Sequence, residues 1–238
     1  MDGFIYVAVG EQSFCAAVRS LKSLRNFHDE PVVIYTDRLY NALSFNSVEL
    51  KLIKNPHRRS KVYCAKESPF NKTIYIDSDT KIVSELNGLW DLLDKYELLI
   101  CHDNARVHSR NTDLDSVPVG DAFPEFNSGF FCYKKTNNMI TLMHKWSEIM
   151  ELGSERKDQP TLRKLLWESH VKFYVLPPEY NIRDHKYVRT WARYEATPKV
   201  LHYLRYRTWE NVTFLTRIKV WIRRNLLINW KIYLKNLF

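Results

Sequence analysis

The sequence predicts an α/β protein: one domain on a mixed, mostly parallel central sheet with helices on both faces, followed by a basic helical tail. Three observations lead there. Short runs that are apolar throughout, such as "FIYVAV", "PVVIYT" and "KTIYI", have the composition of strands buried on both faces. Between them lie longer stretches whose apolar residues recur at helical spacing, and this alternation implies parallel strands with covering helices. Glycine is scarce, six in 238 residues, and no segment repeats, which argues against a Gly-rich dinucleotide fold and against a solenoid. The domain is assigned to residues 1–203 and the tail to residues 204–238.

The elements follow in order. "FIYVAVG" is the first strand, ended by Gly10, and "SFCAAVRSLKSLRNF" is a helix with Phe14, Ala17, Val18, Leu21 and Leu24 on one face. "PVVIYTD" and the shorter "VELKLI" are the next two strands. "RSKVYCAKESP" is a helix stopped by Pro69. "KTIYIDSD" is the fourth strand, "LNGLWDLLDKY" a helix and "ELLICHD" the fifth strand. From Ala105 to Glu125 the pattern breaks into a long polar loop, and a loop of that length inside a compact domain is usually functional. Then come "SGFFCYKK" (strand), "NNMITLMHKWSEIMEL" and "DQPTLRKLLWES" (helices), "VKFYVLP" (strand), an irregular aromatic stretch, and "KVLHYL" (strand). Sheets of this kind hold their ligands outside the carboxyl ends of the strands. Three strands end there in an acid: Asp37, Asp77 and Asp103.

Hydrophobic residues at 45% and charged residues at 26% are ordinary for a soluble globular chain, and the length is enough to bury a real core. The net charge of +9 is uneven. From Tyr203 onward there are eight Lys or Arg against one acid, Glu210, so most of the excess lies in the tail. Basic chains commonly meet nucleic acid, anionic membrane or phosphorylated small molecules. Cys15, Cys64, Cys101 and Cys132 lack the close spacing of a zinc or disulfide framework and read as buried free thiols. The opening "MDGFIYVAVG" lacks the basic segment and apolar core of a signal peptide, and no run has the length of a membrane span. The expected location is the cytoplasm.

The chemistry centres on "IYIDSDT", residues 74–80, where a buried strand ends in two aspartates one residue apart. Like charges so close repel, and burial would raise both pKa values. A hard divalent cation removes the conflict, because Mg²⁺ and Mn²⁺ take oxygen ligands and leave positions open for phosphate oxygens. An isolated Asp-x-Asp is equally a solvated surface turn. HAD phosphatases also carry this pair after an apolar strand, but they place Thr or Val four residues after the first Asp, where this chain has Lys81.

Further motifs favour the cation. "TIYIDSDTKIV", "FPEFNSGFFCYKK", "KDQPTL", "VLPPEYNIR" and "KVLHY", in that order, resemble the GT-A glycosyltransferases of family 8, nucleotide-sugar transferases, over about Phe4 to Tyr203. The resemblance implies that Asp77, Asp79 and His202 ligate Mn²⁺ or Mg²⁺, with Ser78 near the ribose; an imidazole suits Mn²⁺ better. It implies that Ala8, Gly10 and Glu11 line the base, that Phe14 stacks on it or serves as helix core, and that Asp37 contacts the base or caps a helix. Lys61, sixteen residues before Asp77, stands where relatives pair a cation with the diphosphate, or on a solvated helix face. Asn127, Ser128 and Gly129 are implied beside the donor sugar, with the small Gly admitting the ring. Asp158 and Gln159 are implied near the anomeric carbon, with Asp103 by the sugar or the acceptor. The sequence departs from the family after His202, where "HYLRYRTW" replaces a Gly and Lys motif; Arg205 or Arg207 is then expected to touch the diphosphate.

The resemblance implies transfer of a hexose-type sugar from a nucleotide diphosphate sugar, UDP-linked by family, with retention at the anomeric carbon. Double displacement would need a nucleophile from Asp158 or Gln159, a front-face route needs neither, and an inverting route would use Glu125 or Asp103 as base. The acceptor is expected to be a glycan, a lipid-linked sugar or a protein. In the tail, Phe214, Ile218, Trp221, Ile222, Leu226, Trp230 and Tyr233 fall at helical intervals among Arg and Lys, a pattern that suits an anionic membrane surface or a helix packed on the domain. Two rivals remain from the residues alone: a nucleic-acid-binding protein, which lacks any RNP, zinc or helix-turn-helix signature here, and a silent relative that only binds nucleotide sugar.

Overall fold

The computed structural model describes residues 1–40, 45–57, 59–106, 114–152, 157–183 and 196–203. The tail expected at 204–238, with Arg205 and Arg207, lies outside them.

In chain order the elements are β1 (Gly3–Ala8), α1 (Glu11–Leu24), β2 (Val32–Thr36), β3 (Val48–Leu52), α2 (Ser60–Lys66), β4 (Lys72–Ile76), β5 (Thr80–Ile82), α3 (Gly88–Lys95), β6 (Leu98–His102), β7 (Phe126–Lys134), α4 (Asn137–Glu151), α5 (Asp158–Glu168), β8 (Phe173–Val175) and β9 (Val200–His202). Seven strands form the central sheet in the order β3-β2-β1-β4-β7-β6-β8. Only β7 runs against its neighbours β4 and β6; the other pairings are parallel. This is the mixed, mostly parallel sheet that the apolar runs imply.

Alternation along the strands splits the core in two. Ile5, Val33, Tyr75, Ile100 and Phe131 face α2, α4 and α5, meeting Val62, Met139, Trp146 and Leu162. Phe4, Tyr6, Ile34, Ile74, Leu99 and Phe130 face α1 and α3, meeting Phe14, Leu21, Leu24, Leu89 and Leu93. β7 lies between two strands with both faces covered, so eight of its nine residues are buried, Asn127 and Ser128 among them.

Three features depart from the pattern read along the chain. "KVLHYL" does not join the central sheet: β9 pairs antiparallel with β5, a three-residue strand that follows the two aspartates and has too few residues to show a period. Cys15 is exposed rather than buried, because it follows Phe14 on the outer side of α1; Cys64, Cys101 and Cys132 are buried and free. The polar loop before β7 contains two 3-10 turns, Leu114–Ser116 and Gly120–Ala122. It is tied down by Arg163, a fully buried arginine of α5. The guanidinium donates to the Phe123 carbonyl (2.6 Å), the Ser116 hydroxyl (3.0 Å) and the Gly120 carbonyl (2.6 Å). A buried charge is tolerated when its donors are used in this way.

Among the described residues no helix is long and apolar enough to cross a membrane.

Candidate active site

Asp37, Asp77 and Asp103 follow β2, β4 and β6, which run in one direction, so they share one edge of the sheet. Because β7 is reversed, its beginning, Asn127–Gly129, reaches the same edge. The Asp77 N–H donates to the Gly129 carbonyl at 2.8 Å, which sets the first aspartate beside that glycine.

The turn carrying the two aspartates is held from below by a chain of buried hydroxyls. Tyr6 and Ser20 lie 3.2 Å apart, Ser20 and Thr80 2.6 Å apart, and Thr80 donates to the Asp77 carbonyl at 2.9 Å. β5 then pairs Thr80 with His202 of β9, which swings the imidazole over the aspartates. His202 Nε2 lies 3.2 Å from Asp79 Oδ1 and 3.7 Å from Asp77 Oδ2. One ligand atom from each of the three residues lies within 4.8 Å of the others.

The imidazole tautomer follows from a chain of hydrogen bonds that begins at a group with only one option. The Gly129 backbone N–H can only donate, and it donates to Asn127 Oδ1 at 2.9 Å. That fixes the Asn127 amide, whose Nδ2 donates to Asp103 Oδ2 at 2.5 Å. The same Asn127 Oδ1 accepts from Asn181 Nδ2 at 2.9 Å, leaving Asn181 Oδ1 to accept the Nδ1 proton of His202 at 2.9 Å. Nε2 is the nitrogen that faces the carboxylates, and in the neutral imidazole it carries the lone pair. On Asp77, Oδ1 accepts from the Tyr75 hydroxyl at 2.5 Å, while Oδ2 turns toward His202. Burial, then the neighbouring Asp77 charge, pushes the Tyr75 phenol well above its ordinary pKa, so it stays a donor. Two carboxylates and an imidazole, with Asp77 oriented by Tyr75 and His202 by Asn181, are a donor set that fits Mn²⁺ or Mg²⁺. Asp77, Asp79 and His202 are the residues that would hold it.

Gly129 is required by space and not by conformation, since its φ lies outside the left-handed region. A Cβ there would lie 2.1 Å from His202 Cε1 and 2.7 Å from Asp77 Oδ2. The room beside this glycine is thus taken by two of the three residues that would hold the cation, whereas the resemblance led to the expectation of a sugar ring.

A second cluster adjoins the first. Lys61 of α2 reaches Asp158 Oδ2 at 2.6 Å and donates to Ser128 Oγ at 2.7 Å, and Ser128 donates to the same carboxylate oxygen at 2.5 Å. Burial works against both charges and their attraction outweighs it: Asp158 is held below its ordinary pKa and Lys61 above. Asp158 is the first residue of α5 and Lys157 its N-cap, so the carboxylate is not spent on capping. Gln159 Nε2 donates to Asp103 Oδ2 and to the Phe126 carbonyl, both at 2.9 Å, which commits the amide nitrogen. Burial alone would raise Asp103, but the Ala105 N–H and the two amides outweigh it, and Asp103 lies below its ordinary value. Ser78 is buried between the two aspartates.

The residues expected around a base lie at the β1 end. Ala8 is fully buried in the core, and Glu11 is exposed and paired with Arg38 at 3.3 Å. Phe14 is 6% exposed and stacked on Tyr40, with centroids 3.8 Å apart, so its outer face is covered and it acts as helix core. Gly10, at φ 83°, donates to Asp37 Oδ1 at 3.0 Å, so Asp37 braces the turn into α1. Burial raises Asp37, and the Gly10 N–H, its own backbone N–H, the Arg38 charge and the Thr36 hydroxyl together outweigh it, leaving its pKa lowered.

Asn181, Tyr75 and Arg183 were not singled out in the sequence. Asn181 and Arg183 lie within "YNIR", a motif with no residue-level signal, and Tyr75 reads as one more strand aromatic. Arg183 Nη1 lies 2.9 Å from His202 Nε2 and 3.3 Å from Nδ1.

The family model described as glycosyl transferase family 8 matches residues 40–213. Among solved structures, the galactosyltransferase LgtC in complex with donor and acceptor sugar analogues superposes with a TM-score of 0.60 at 14% identity, covering 86% of this chain and 87% of that one. Mouse xyloside xylosyltransferase 1 in its apo form gives 0.55 at 14% identity, over 85% and 97%. The glycosyltransferase GlyE of Streptococcus pneumoniae TIGR4 gives 0.59 at 17% identity, over 86% of this chain and 55% of that one. No curated protein sequence matches. The central sheet and its covering helices are those of the GT-A fold shared with LgtC.

Proposed function

This chain belongs to glycosyl transferase family 8 and is a glycosyltransferase that uses a nucleotide sugar, and from that premise we propose that it moves a hexose-type sugar from UDP to a glycan, lipid-linked or protein acceptor, with Mn²⁺ or Mg²⁺ and with retention. The observation that carries the proposal is the Asp77, Asp79 and His202 cluster, with Nε2 turned to the carboxylates by Asn181. A cation bound there would neutralise the charge that develops on the leaving diphosphate.

The chain's own residues define the rest. Asp103, Asn127 and Gln159 form a rigid polar rim beside the cluster, suited to sugar hydroxyls. Asp158 is a poor nucleophile, because one oxygen is engaged by both Lys61 and Ser128. Gln159 retains an amide oxygen, which is weakly nucleophilic but of a kind that can stabilise positive charge at an anomeric carbon. These features favour the front-face route. The acceptor oxygen bonds to the anomeric carbon on the face the diphosphate leaves, the carbon–oxygen bond to phosphate breaks, and the acceptor proton passes to the departing phosphate oxygen. UDP rather than another nucleotide rests on the family resemblance, and Lys61 and Ser78 are proposed on the donor side of the site. The boundary between domain and basic tail near residue 203 is likewise proposed, as is any membrane contact of that tail.

The test is slow donor hydrolysis across a panel of nucleotide sugars with Mn²⁺. Hydrolysis of one UDP-sugar, abolished in Asp79→Asn and strongly reduced in His202→Ala, is expected. Metal-independent turnover, or full activity in both variants, would overturn the three-ligand site.

A further inference from the structure

We propose that the outer edge of the central sheet at β3 is an interface for a second copy of this chain, which lays its own β3 alongside, antiparallel, about a two-fold axis at Leu50.

β3 and β8 are the end strands of the sheet. β8 has three residues, and an edge that short offers little to pair with. β3 has five, Val48–Leu52, and its parallel ladder to β2 decides which of them point outward. The Val32 N–H donates to the Ser47 carbonyl and the Ile53 N–H to the Thr36 carbonyl, both at 2.9 Å. Successive residues of a strand turn their backbone groups to opposite sides, so Glu49 and Lys51 bond to β2. Val48, Leu50 and Leu52 then direct their N–H and C=O groups away from the sheet, where they have no backbone partner among the described residues.

The side chains divide in the same way. Val48 and Leu50 pack on the α1 core, and Leu52, on the same face, is 55% exposed. Glu49 and Lys51 stand beside Val33 and Tyr35 on the α2 face, with Lys51 Nζ 3.6 Å from Glu49 Oε2. Lys51 borders an open cleft of about 560 Å³ that reaches Tyr63 and Glu67, which leaves room beside it for a side chain from outside.

The charges choose the partner. A lysine on an edge strand ordinarily discourages a further strand. A second β3 with Leu50 opposite its own counterpart removes the obstacle, because Glu49 of each copy then faces Lys51 of the other. Leu50 with Leu50, and Val48 with Leu52, become the hydrogen-bonded pairs, each exchanging two backbone bonds. Glu49 and Lys51 fall in the non-hydrogen-bonded pairs, where opposing side chains come closest and opposite charges stabilise the pairing. The exposed Leu52 gains Val48 as an apolar neighbour. Moving the axis by one residue would set Glu49 against Glu49 or Lys51 against Lys51, so the register is specified as well. A strand without the complementary charges at both positions is disfavoured by the same two residues that admit this chain.

The experiment is sedimentation equilibrium of the intact chain, with amide hydrogen exchange read at Leu50 over the same concentrations. Wild type is expected to form a dimer whose dissociation on dilution exposes the Leu50 amide to exchange. Lys51→Glu and Glu49→Lys each place like charges opposite one another on both sides of the axis, and each should weaken the dimer about tenfold or more. Mixing the two variants should restore a dimer, because an acidic edge then meets a basic one, and so should both exchanges made in one chain. A wild-type chain that stays monomeric, single variants that dimerise as wild type does, or a mixture that stays monomeric would each overturn the proposal. A Leu50 amide protected in the monomer would overturn it too, since a segment of the same chain would then be covering the edge.

Discussion

Gly129→Ala should abolish cation binding while leaving the fold intact, although the substitution adds one methyl group. The new Cβ would lie 2.1 Å from His202 Cε1, about 1.3 Å inside the 3.4 Å of ordinary contact, and 2.7 Å from Asp77 Oδ2. Neither neighbour can yield freely. The imidazole is 1% exposed, bonded to Asn181, and mounted on a strand paired to Thr80. Asp77 is tied to Tyr75 through its other oxygen and to Gly129 through its backbone. Ligand distances in metal sites tolerate about 0.2 Å, so the forced shift is several times too large. Disturbing the partners of ligands alone costs about 10- to 100-fold in affinity, and here two ligands themselves must move, so Mn²⁺ affinity should fall by about 100-fold or more. Overpacking of this kind costs about 1–3 kcal/mol, which a folded domain of this size survives. Mn²⁺ titration beside urea unfolding separates the two effects. Gly88→Ala is the control, having nothing within 4 Å of the added Cβ and no positive φ. A folded Gly129→Ala protein that binds Mn²⁺ within threefold of wild type would refute the assignment of that space to His202 and Asp77.

Two further outcomes follow from the same geometry. Tyr75→Phe removes the donor to Asp77 Oδ1 and frees that carboxylate to rotate, so Mn²⁺ affinity should drop about tenfold with little change in the urea midpoint; unchanged affinity would show that the hydroxyl does not orient the ligand. Breaking the Lys61–Asp158 pair with Asp158→Asn strands a largely buried ammonium and should cost about 3 kcal/mol near neutral pH. The pH dependence has a defined sign. Asp158 lies below its ordinary pKa, so its contribution is complete above the unfolded value of about 4 and is lost as pH falls through the lower folded value. Lys61 lies above its ordinary pKa, so its contribution is complete below about pH 10 and is lost at still higher pH. Urea midpoints of wild type and variant should therefore differ by a constant amount from about pH 5 to pH 9 and converge below about pH 4. A gap that persists undiminished to pH 2 would mean that the pair is not the source of the difference.

Much of the fold was legible because it is written in local periods. β1, β2, β4 and β6 are continuous apolar runs, since both faces of a central strand are covered, and α1 and α4 show their buried stripes directly. The aspartate pair was legible too: two acids after such a run pose an electrostatic question that a cation answers. β5 was not, because three residues carry no period, and the placement of β9 depends on pairing with that unseen strand. Phe14 stayed open between a stacking surface and helix core because nothing in the sequence says that Tyr40 covers it.

The sequence by itself thus determined the longer elements, the edge where the acids gather and the chemical type of the site, since each depends on residues within a few positions of one another. Tertiary structure alone decided the rest. Sheet register brings His202 to Thr80, beside an aspartate 123 positions earlier in the chain, and reversal of β7 sets Gly129 against Asp77. Hydrogen bonds from Gly129 through Asn127 and Asn181 set the Nδ1 proton of the imidazole, and Arg183 lies against the same ring. These are contacts between side chains far apart in sequence, set by how strands align, and no local pattern encodes an alignment.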